Sequence, residues 1–222
     1  MKIRNQSFTA IIILLLLIAA SCGQQMEEEP TVYTAELNNL NQNITDQPAS
    51  GELTVTVKGD SATIKLNVSS VAPDIMHLAH LHGYEDGSEA KCPTFPEADN
   101  NNDSIVDLIE TRDYSGITMI PFHDDPVSLE IKTDTYPKAD AQGNFNYSKV
   151  VSMQALSSAV SEKFGIENFS FDNFVVFVHG IRQDTTLPES VQSLPDVPAK
   201  VTLPVGCGEL EISAASGSQQ QQ

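Results

Sequence analysis

The residues best suited to chemistry are the histidines crowded into HLAHLHG, residues 77–83. Side chains at positions i and i+2 of a β-strand point to the same face, so His80 and His82 would converge on one point. His77 is an odd number of positions from both and would face the other side, as a neighbour rather than a ligand. Imidazole nitrogens are common ligands of transition metals. The spacing predicts a metal site at His80 and His82, the alternative being strand histidines satisfied by hydrogen bonds or by water.

A third histidine, His179, ends the apolar run FDNFVVFVHGI, residues 171–181. Such a run is typical of a central strand that is buried on both faces, so His179 would stand at the rim of the core. His123 lies in a separate segment, IPFHDDP, residues 120–126. We expect His80, His82 and His179 to act together.

The acidic stretch DNNNDSIVDLIE, residues 99–110, has the spacing of an EF-hand calcium loop. Calcium takes about six to eight oxygen ligands, which the EF-hand supplies from positions 1, 3, 5, 7, 9 and 12. Here those positions hold Asp99, Asn101, Asp103, the backbone carbonyl of Ile105, Asp107 and Glu110. Ser104 occupies the position at which an EF-hand loop normally has the glycine of its sharp turn. The segments on either side of the loop do not have the pattern of two long amphipathic helices. We predict a single dockerin-like calcium loop, with a solvated acidic loop as the alternative.

Short alternating runs must position these groups. The runs that read as strands, separated by Gly, Asp and Pro turns, are VYTAELNNL, GELTVTVKGD, SATIKLNVSSV, MHLAHLHG, GITMIPF, VSLEIKT, NFNYSKVV, FVVFVH and AKVTLPVGCGELEI. Helical spacing is confined to residues 153–165, with one side formed by Met153, Leu156, Val160 and Phe164. Many short strands of this kind are typical of an antiparallel sandwich or small barrel. We therefore expect an all-β fold with one short helix and an inserted calcium loop.

The charge of the chain excludes one class of partner. The formal net charge is −18, and a protein this acidic does not hold phosphate backbones by charge. Nucleic-acid binding is not expected, whereas acidic groups do attract cations.

The N-terminus reads as an export signal. Lys2 and Arg4 precede an apolar segment and a run of small residues that leads into Cys22. This arrangement resembles the lipobox of bacterial lipoproteins, which implies cleavage before Cys22 and attachment of lipid to its thiol. Gly23 at the next position, rather than Asp, favours the outer membrane. We expect a cell-envelope protein anchored in the membrane by its N-terminal lipid, with an ordinary secreted protein as the alternative.

The cysteines and the tails complete the predicted organisation. If Cys22 carries lipid, Cys92 and Cys207 remain as a pair in an oxidising compartment, where a disulfide would form. The predicted parts are a signal peptide over 1–21, a flexible tether over 22–32, a β-sandwich over 33–213 with an insertion at 93–116, and a disordered tail over 214–222.

Several segments, in this order, resemble the Cu/Zn superoxide dismutase family. An early hairpin, GELTVTVKGDSATIKLNVSSV, precedes the His-x-His of AHLHG, and Cys92 follows the histidine strand. DAQGNFNYSKVVSM resembles the family's Asp/Gly-turn hairpin, and FVVFVHG resembles its late strand with the last copper histidine. PVGCGELEI resembles the closing strand, whose Cys-Gly supplies half of the family's disulfide. The resemblance covers roughly residues 33–212 and implies an antiparallel Greek-key β-sandwich or barrel.

The same resemblance implies a copper site whose ligands are His80, His82, His179 and, as the fourth, His123. Four imidazoles suit Cu(II). No histidines then remain for the family's zinc site, so zinc is not expected. Pro204 replaces the family's superoxide-attracting arginine, and Arg182 does not match its placement. The implied activity is copper-dependent dismutation of superoxide, weakened by these departures.

The first half of the chain also resembles a CHRD domain, through YTAELNNLNQN, GELTVTV and AHLHG. Two functions follow. The first is a lipid-anchored, superoxide dismutase-like copper protein with a calcium-stabilised insertion, whose small ligand is superoxide or a metal ion. The second is a non-catalytic metal-binding or CHRD-like adhesion module at the cell surface. The sequence assigns neither catalytic residues nor an oligomeric state.

Overall fold

A computed structural model of the protein describes residues 28–131 and 134–213. The predicted signal peptide, the lipid-bearing Cys22, the tether up to residue 27 and the tail over 214–222 lie outside the described residues. Within the two described ranges, the helices are all too short or too polar to cross a membrane.

The described residues form one antiparallel sheet that curls into half a barrel, so the expected all-β fold is confirmed. Its path runs β5-β4-β7-β8-β1-β2-β3-β6, and β9 pairs with β1. The strands are β1 Thr31–Asn39, β2 Ser50–Lys58, β3 Ser61–Ser69, β4 Leu78–Gly83, β5 Ile117–Pro121, β6 Phe145–Ser152, β7 Val175–His179, β8 Pro204–Glu209 and β9 Glu211–Ile212.

Helices are few and mostly a single turn. They are α1 Gln42–Thr45, α2 Arg112–Ser115, α3 Met153–Phe164 and α4 Ala199–Thr202, together with 3₁₀ turns at Pro126–Ser128 and Phe171–Asn173. The helix predicted over residues 153–165 corresponds to α3. It begins where the side chain of Ser152 accepts a hydrogen bond from the amide of Ala155, and it ends at Gly165, whose φ of 78° suits glycine.

The β2–β3 hairpin illustrates how the alternating sequence builds the main core. Leu53 and Val55 of β2 and Ile64 and Leu66 of β3 are fully buried. Burying each such side chain contributes about 1.5–3 kcal/mol. The hairpin therefore anchors one half of the curled sheet.

Strand β7 is buried at every position, as its continuous apolar run predicts. Val176 and Val178 face the main core. Val175 and Phe177 face the other side of the sheet, where they pack in a second cluster with Cys207. The sheet is thus covered on both faces at β7, and its outer face is the one that carries His80, His82 and His179.

The predicted disulfide between Cys92 and Cys207 is present, with a Cα–Cα distance of 5.8 Å. It joins the segment after β4 to the buried strand β8. The bond closes a loop of 115 residues and holds the outer-face cluster against the sheet.

The strand predicted for VSLEIKT is wrong over its described residues, 127–131. Pro126 starts a 3₁₀ turn, and Leu129 then adopts a φ of 54° that no strand permits. This turn directs Leu129 into the main core, where it is 1% exposed. Burial of one leucine therefore outweighs the strand preference of the segment.

Reducing the Cys92–Cys207 bond should lower the free energy of unfolding by about 4 kcal/mol, because the bond restricts a long loop in the unfolded chain. Urea unfolding with and without reductant measures this difference. The double variant Cys92→Ala, Cys207→Ala is the control, and reductant should leave its midpoint unchanged. An unfolding midpoint of the native protein that is indifferent to reductant would contradict the expectation.

Candidate metal centre

Three imidazoles meet where β4 pairs with β7. His80 and His82 lie on β4, and His179 ends β7 opposite Leu78. The ring centroid of His80 lies 4.9 Å from that of His82 and 4.7 Å from that of His179. One nitrogen from each ring lies within 4.8 Å of the others. Two nitrogens that share a metal ion are at most about 4 Å apart, so the rings are held close to the separation that a shared ion requires.

One nitrogen of each of the three rings is buried and lacks a hydrogen-bond partner. His80 Nδ1, His82 Nδ1 and His179 Nε2 are buried and accept or donate no hydrogen bond. The three residues are 3%, 1% and 1% exposed, respectively. A buried polar atom without a partner costs about 1–3 kcal/mol. Three neighbouring buried imidazoles, each with one unpartnered ring nitrogen, are chemically suited to a metal ion that prefers nitrogen ligands.

The outer nitrogens of two of the rings are fixed by threonines. His179 Nδ1 lies 2.6 Å from the backbone carbonyl of Thr202, which can only accept, so Nδ1 carries the hydrogen and Nε2 the lone pair. His82 Nε2 lies 3.0 Å from the hydroxyl of Thr118, which can accept the ring hydrogen and leave Nδ1 free. Such outer partners orient metal-binding histidines and set their tautomer.

Burial keeps these imidazoles neutral. Desolvation lowers the pKa of His179 to about 4. It also lowers the pKa values of His80 and His82 well below their usual range, and the neighbouring imidazole of His179 lowers both further. Neutral imidazole is the form that binds metal, so at neutral pH protons do not compete for the site.

His77 lies on the opposite side and is fully buried. Its Nδ1 is 3.0 Å from the carbonyl of His179, its Nε2 is 2.8 Å from the carbonyl of Ala72, and its ring stacks on Phe145 of the main core. Both ring nitrogens therefore face backbone carbonyls, and the neutral ring donates its single N–H to one of the two. His77 supports the end of β7 rather than joining the three converging histidines.

His123, predicted as a fourth ligand, lies outside the converging group. Its Nε2 donates to the carbonyl of Glu130 at 2.6 Å, and its Nδ1 accepts from the amide of Asp125 at 3.0 Å. The ring of Tyr136 contacts both His123 and His80, with centroid distances of 5.2 and 6.4 Å. In this structure, local hydrogen bonds thus hold both nitrogens of His123 within its own loop, apart from the three histidines that lie together.

The predicted calcium loop folds back on itself. The carboxylate of Asp99 accepts from the amides of Asp103 and Ser104 at 3.1 and 2.9 Å. Ser104 has a φ of 69°, the conformation that glycine adopts at this position of an EF-hand. Glu110 reaches back to the amide of Asn100 at 2.8 Å. Among the described residues, the three histidines are the only group of three or more His, Cys, Asp or Glu side chains within 4.8 Å of one another, so no three of the loop's carboxylates lie that close together without an ion.

Two carboxylates of this loop hold a neighbouring segment instead. Asp103 accepts from the hydroxyl of Ser190 at 2.6 Å, and Asp107 accepts from the amide of Gln192 at 2.6 Å. No sequence pattern signals these contacts, because they join segments more than 80 residues apart and one of them uses a backbone amide. No sequence pattern signals the threonines that orient the histidines either, which lie 36 residues from His82 and 23 residues from His179.

Neither of the two positions considered for a superoxide-attracting cation, 204 and 182, supplies one at the histidines. Pro204, which the sequence resemblance sets against an arginine, pairs with His179 across β7 and β8. Arg182 is exposed and forms an ion pair with Asp184 at 2.9 Å. Neither residue therefore places a free cation at the histidines.

Comparison of the chain with protein-family models finds no match, and comparison with curated proteins finds none either. The functional interpretation therefore rests on the chemistry of the histidine centre and on the fold that positions it.

Proposed function

We propose that this chain is a superoxide dismutase-like, copper-binding protein whose ion is held by His80, His82 and His179. The observation that carries the proposal is that three buried imidazoles lie close together and that each has one ring nitrogen without a partner. Nitrogen ligands favour Cu(II) over the other divalent first-row metals. A bound copper ion would supply one-electron redox chemistry, while the chain supplies the ligands, their orientation through Thr118 and Thr202, and a site closed to bulk water.

The wider resemblance agrees with this proposal in three respects. The fold is an antiparallel half barrel, the disulfide joins Cys92 to Cys207, and the histidines of β4 and β7 meet on its outer face. We further propose, from the signal and Cys22 alone, that a lipid anchors the chain in the cell envelope.

Copper titration tests the centre directly. The wild-type chain should bind one copper ion, and His80→Ala or His82→Ala should weaken binding by more than about 100-fold, since even loss of an outer partner typically costs 10- to 100-fold. Competition with a coloured chelator measures the affinity. His123→Asn is the matched control and should bind like the wild type. A loss of affinity in the control as large as in His80→Ala would contradict the three-histidine assignment.

Dismutation of superoxide is the activity that the resemblance favours, and electrostatics shapes the expected rate. The chain has a formal net charge of −18, and Pro204 stands where the dismutase resemblance implies an arginine that attracts superoxide. Superoxide, an anion, should therefore be repelled at long range. The copper-loaded protein should therefore dismutate superoxide faster as ionic strength rises, since salt screens this repulsion. Pulse radiolysis measures the rate, with His80→Ala as the inactive control.

If the copper-loaded protein dismutates superoxide no faster than buffer does, the enzymatic function is excluded. The second candidate function then remains, a non-catalytic module that holds metal at the cell surface. The observation favouring this candidate is the absence of a free cation at the two positions considered, Pro204 and Arg182. Tight copper binding without turnover separates it from a purely structural CHRD-like adhesion module, which would bind no copper.

We also propose that the loop over residues 99–110 binds calcium. Asp99 bonds the amides of its own turn, and Ser104 already has the left-handed conformation that the EF-hand needs. Calcium should raise the melting temperature, a chelator should lower it, and Asp99→Ala should abolish both effects. Asp140→Ala, which removes an exposed aspartate from a separate turn, is the control and should keep the response. Equal melting temperatures of the wild type with calcium and with chelator would contradict the proposal.

A further inference from the structure

An apolar cavity of about 420 Å³ lies beside the histidine centre. Its volume falls in the range of about 300–1,000 Å³ that small-molecule sites occupy. The side chains that give it its character are aliphatic: Leu78, Leu108, Ile117, Leu194, Val197 and Val201. These six aliphatic side chains supply no ligand to the proposed copper and calcium sites.

The cavity is built on the same residues that orient the centre. Its wall includes His82 and the two threonines, Thr118 and Thr202, that bond the outer nitrogens of the histidines. One side is formed by β4 and β5, and the facing side by the segment that leads into α4. The bonds from Asp103 and Asp107 to residues 190 and 192 hold that facing segment in place.

One side chain of the mainly aliphatic wall is a cation. Arg112, at the start of α2, lines the cavity and is exposed. Its guanidinium forms no ion pair with any carboxylate in the described ranges, although the chain is strongly acidic. It also borders a second, polar cavity with Glu110 and Asp113. An unpaired guanidinium beside aliphatic side chains is complementary to a ligand that has a carboxylate at one end and a hydrocarbon chain at the other.

We infer that this cavity binds an aliphatic monocarboxylate of the fatty-acid type. The chain of the ligand packs against the aliphatic wall, and its carboxylate pairs with Arg112. Superoxide or a metal ion would be too small and too polar to use such a wall. The aliphatic wall and Arg112 do not depend on a bound metal ion, so the inference holds for the metal-free protein as well, although His82 borders the cavity.

Calorimetric titration of the full chain with decanoate, below its micelle concentration, tests the inference. Decanoate should bind the metal-free and the copper-loaded protein in a one-to-one complex. Leu194→Asp should weaken binding at least about tenfold, because it places a negative charge at the rim of the cavity. Leu194 is 40% exposed, so the variant is expected to fold. Val150→Asp, at a 62% exposed position on β6, is the matched control and should leave binding unchanged.

The carboxylate contact has its own pair of variants. Arg112→Gln should weaken decanoate binding about threefold to tenfold and should not affect decanol, whereas Arg182→Gln, which removes an exposed arginine elsewhere, should affect neither. Failure of the wild type to bind decanoate, or equal affinities of the wild type and Leu194→Asp, would overturn the inference. Equal affinities of Arg112→Gln and the wild type would overturn the assignment of a carboxylate. Each of these affinities is measured on the metal-free protein, so none of these outcomes depends on whether copper binds.

Discussion

The antiparallel pairing of β4 with β7 determines where the three imidazoles meet. Leu78 lies opposite His179, and this register brings the end of β7 alongside the i and i+2 histidines of β4. A slip of one residue would turn His80 and His82 toward the aliphatic core. The register is held because Ala79 and Leu81, on the other face of β4, are fully buried in that core. Packing on one face of the sheet thus positions the three histidines on the other face.

The cost of this arrangement lies in the unpaired nitrogens. Each buried nitrogen without a partner costs about 1–3 kcal/mol, so the three together weaken the metal-free fold. The fold tolerates this cost because the aliphatic core and the Cys92–Cys207 bond stabilise the same strands. An ion that binds the folded state alone removes the cost and stabilises the protein in proportion to its concentration relative to its dissociation constant. A metal ion bound by the three histidines would therefore also stabilise the fold of this chain.

Sequence reasoning succeeds where the signal is local. Strand alternation places His80 and His82 on one face, and the apolar run identifies the buried strand that ends at His179. It does not reach the tertiary contacts. The bond from His123 to the carbonyl of Glu130 uses a backbone atom that every residue type possesses, so no sequence pattern indicates it. The carbonyl of Thr202, which fixes the tautomer of His179, is equally invisible in the sequence.

The central claim is that three imidazoles hold one metal ion. X-ray absorption spectroscopy of the copper-loaded protein tests this claim most directly, because imidazole rings give a characteristic outer-shell scattering pattern. The account predicts nitrogen ligands at about 2 Å with scattering from three imidazoles, of which one is lost in His179→Ala. A first shell of oxygen ligands without imidazole scattering would contradict the account.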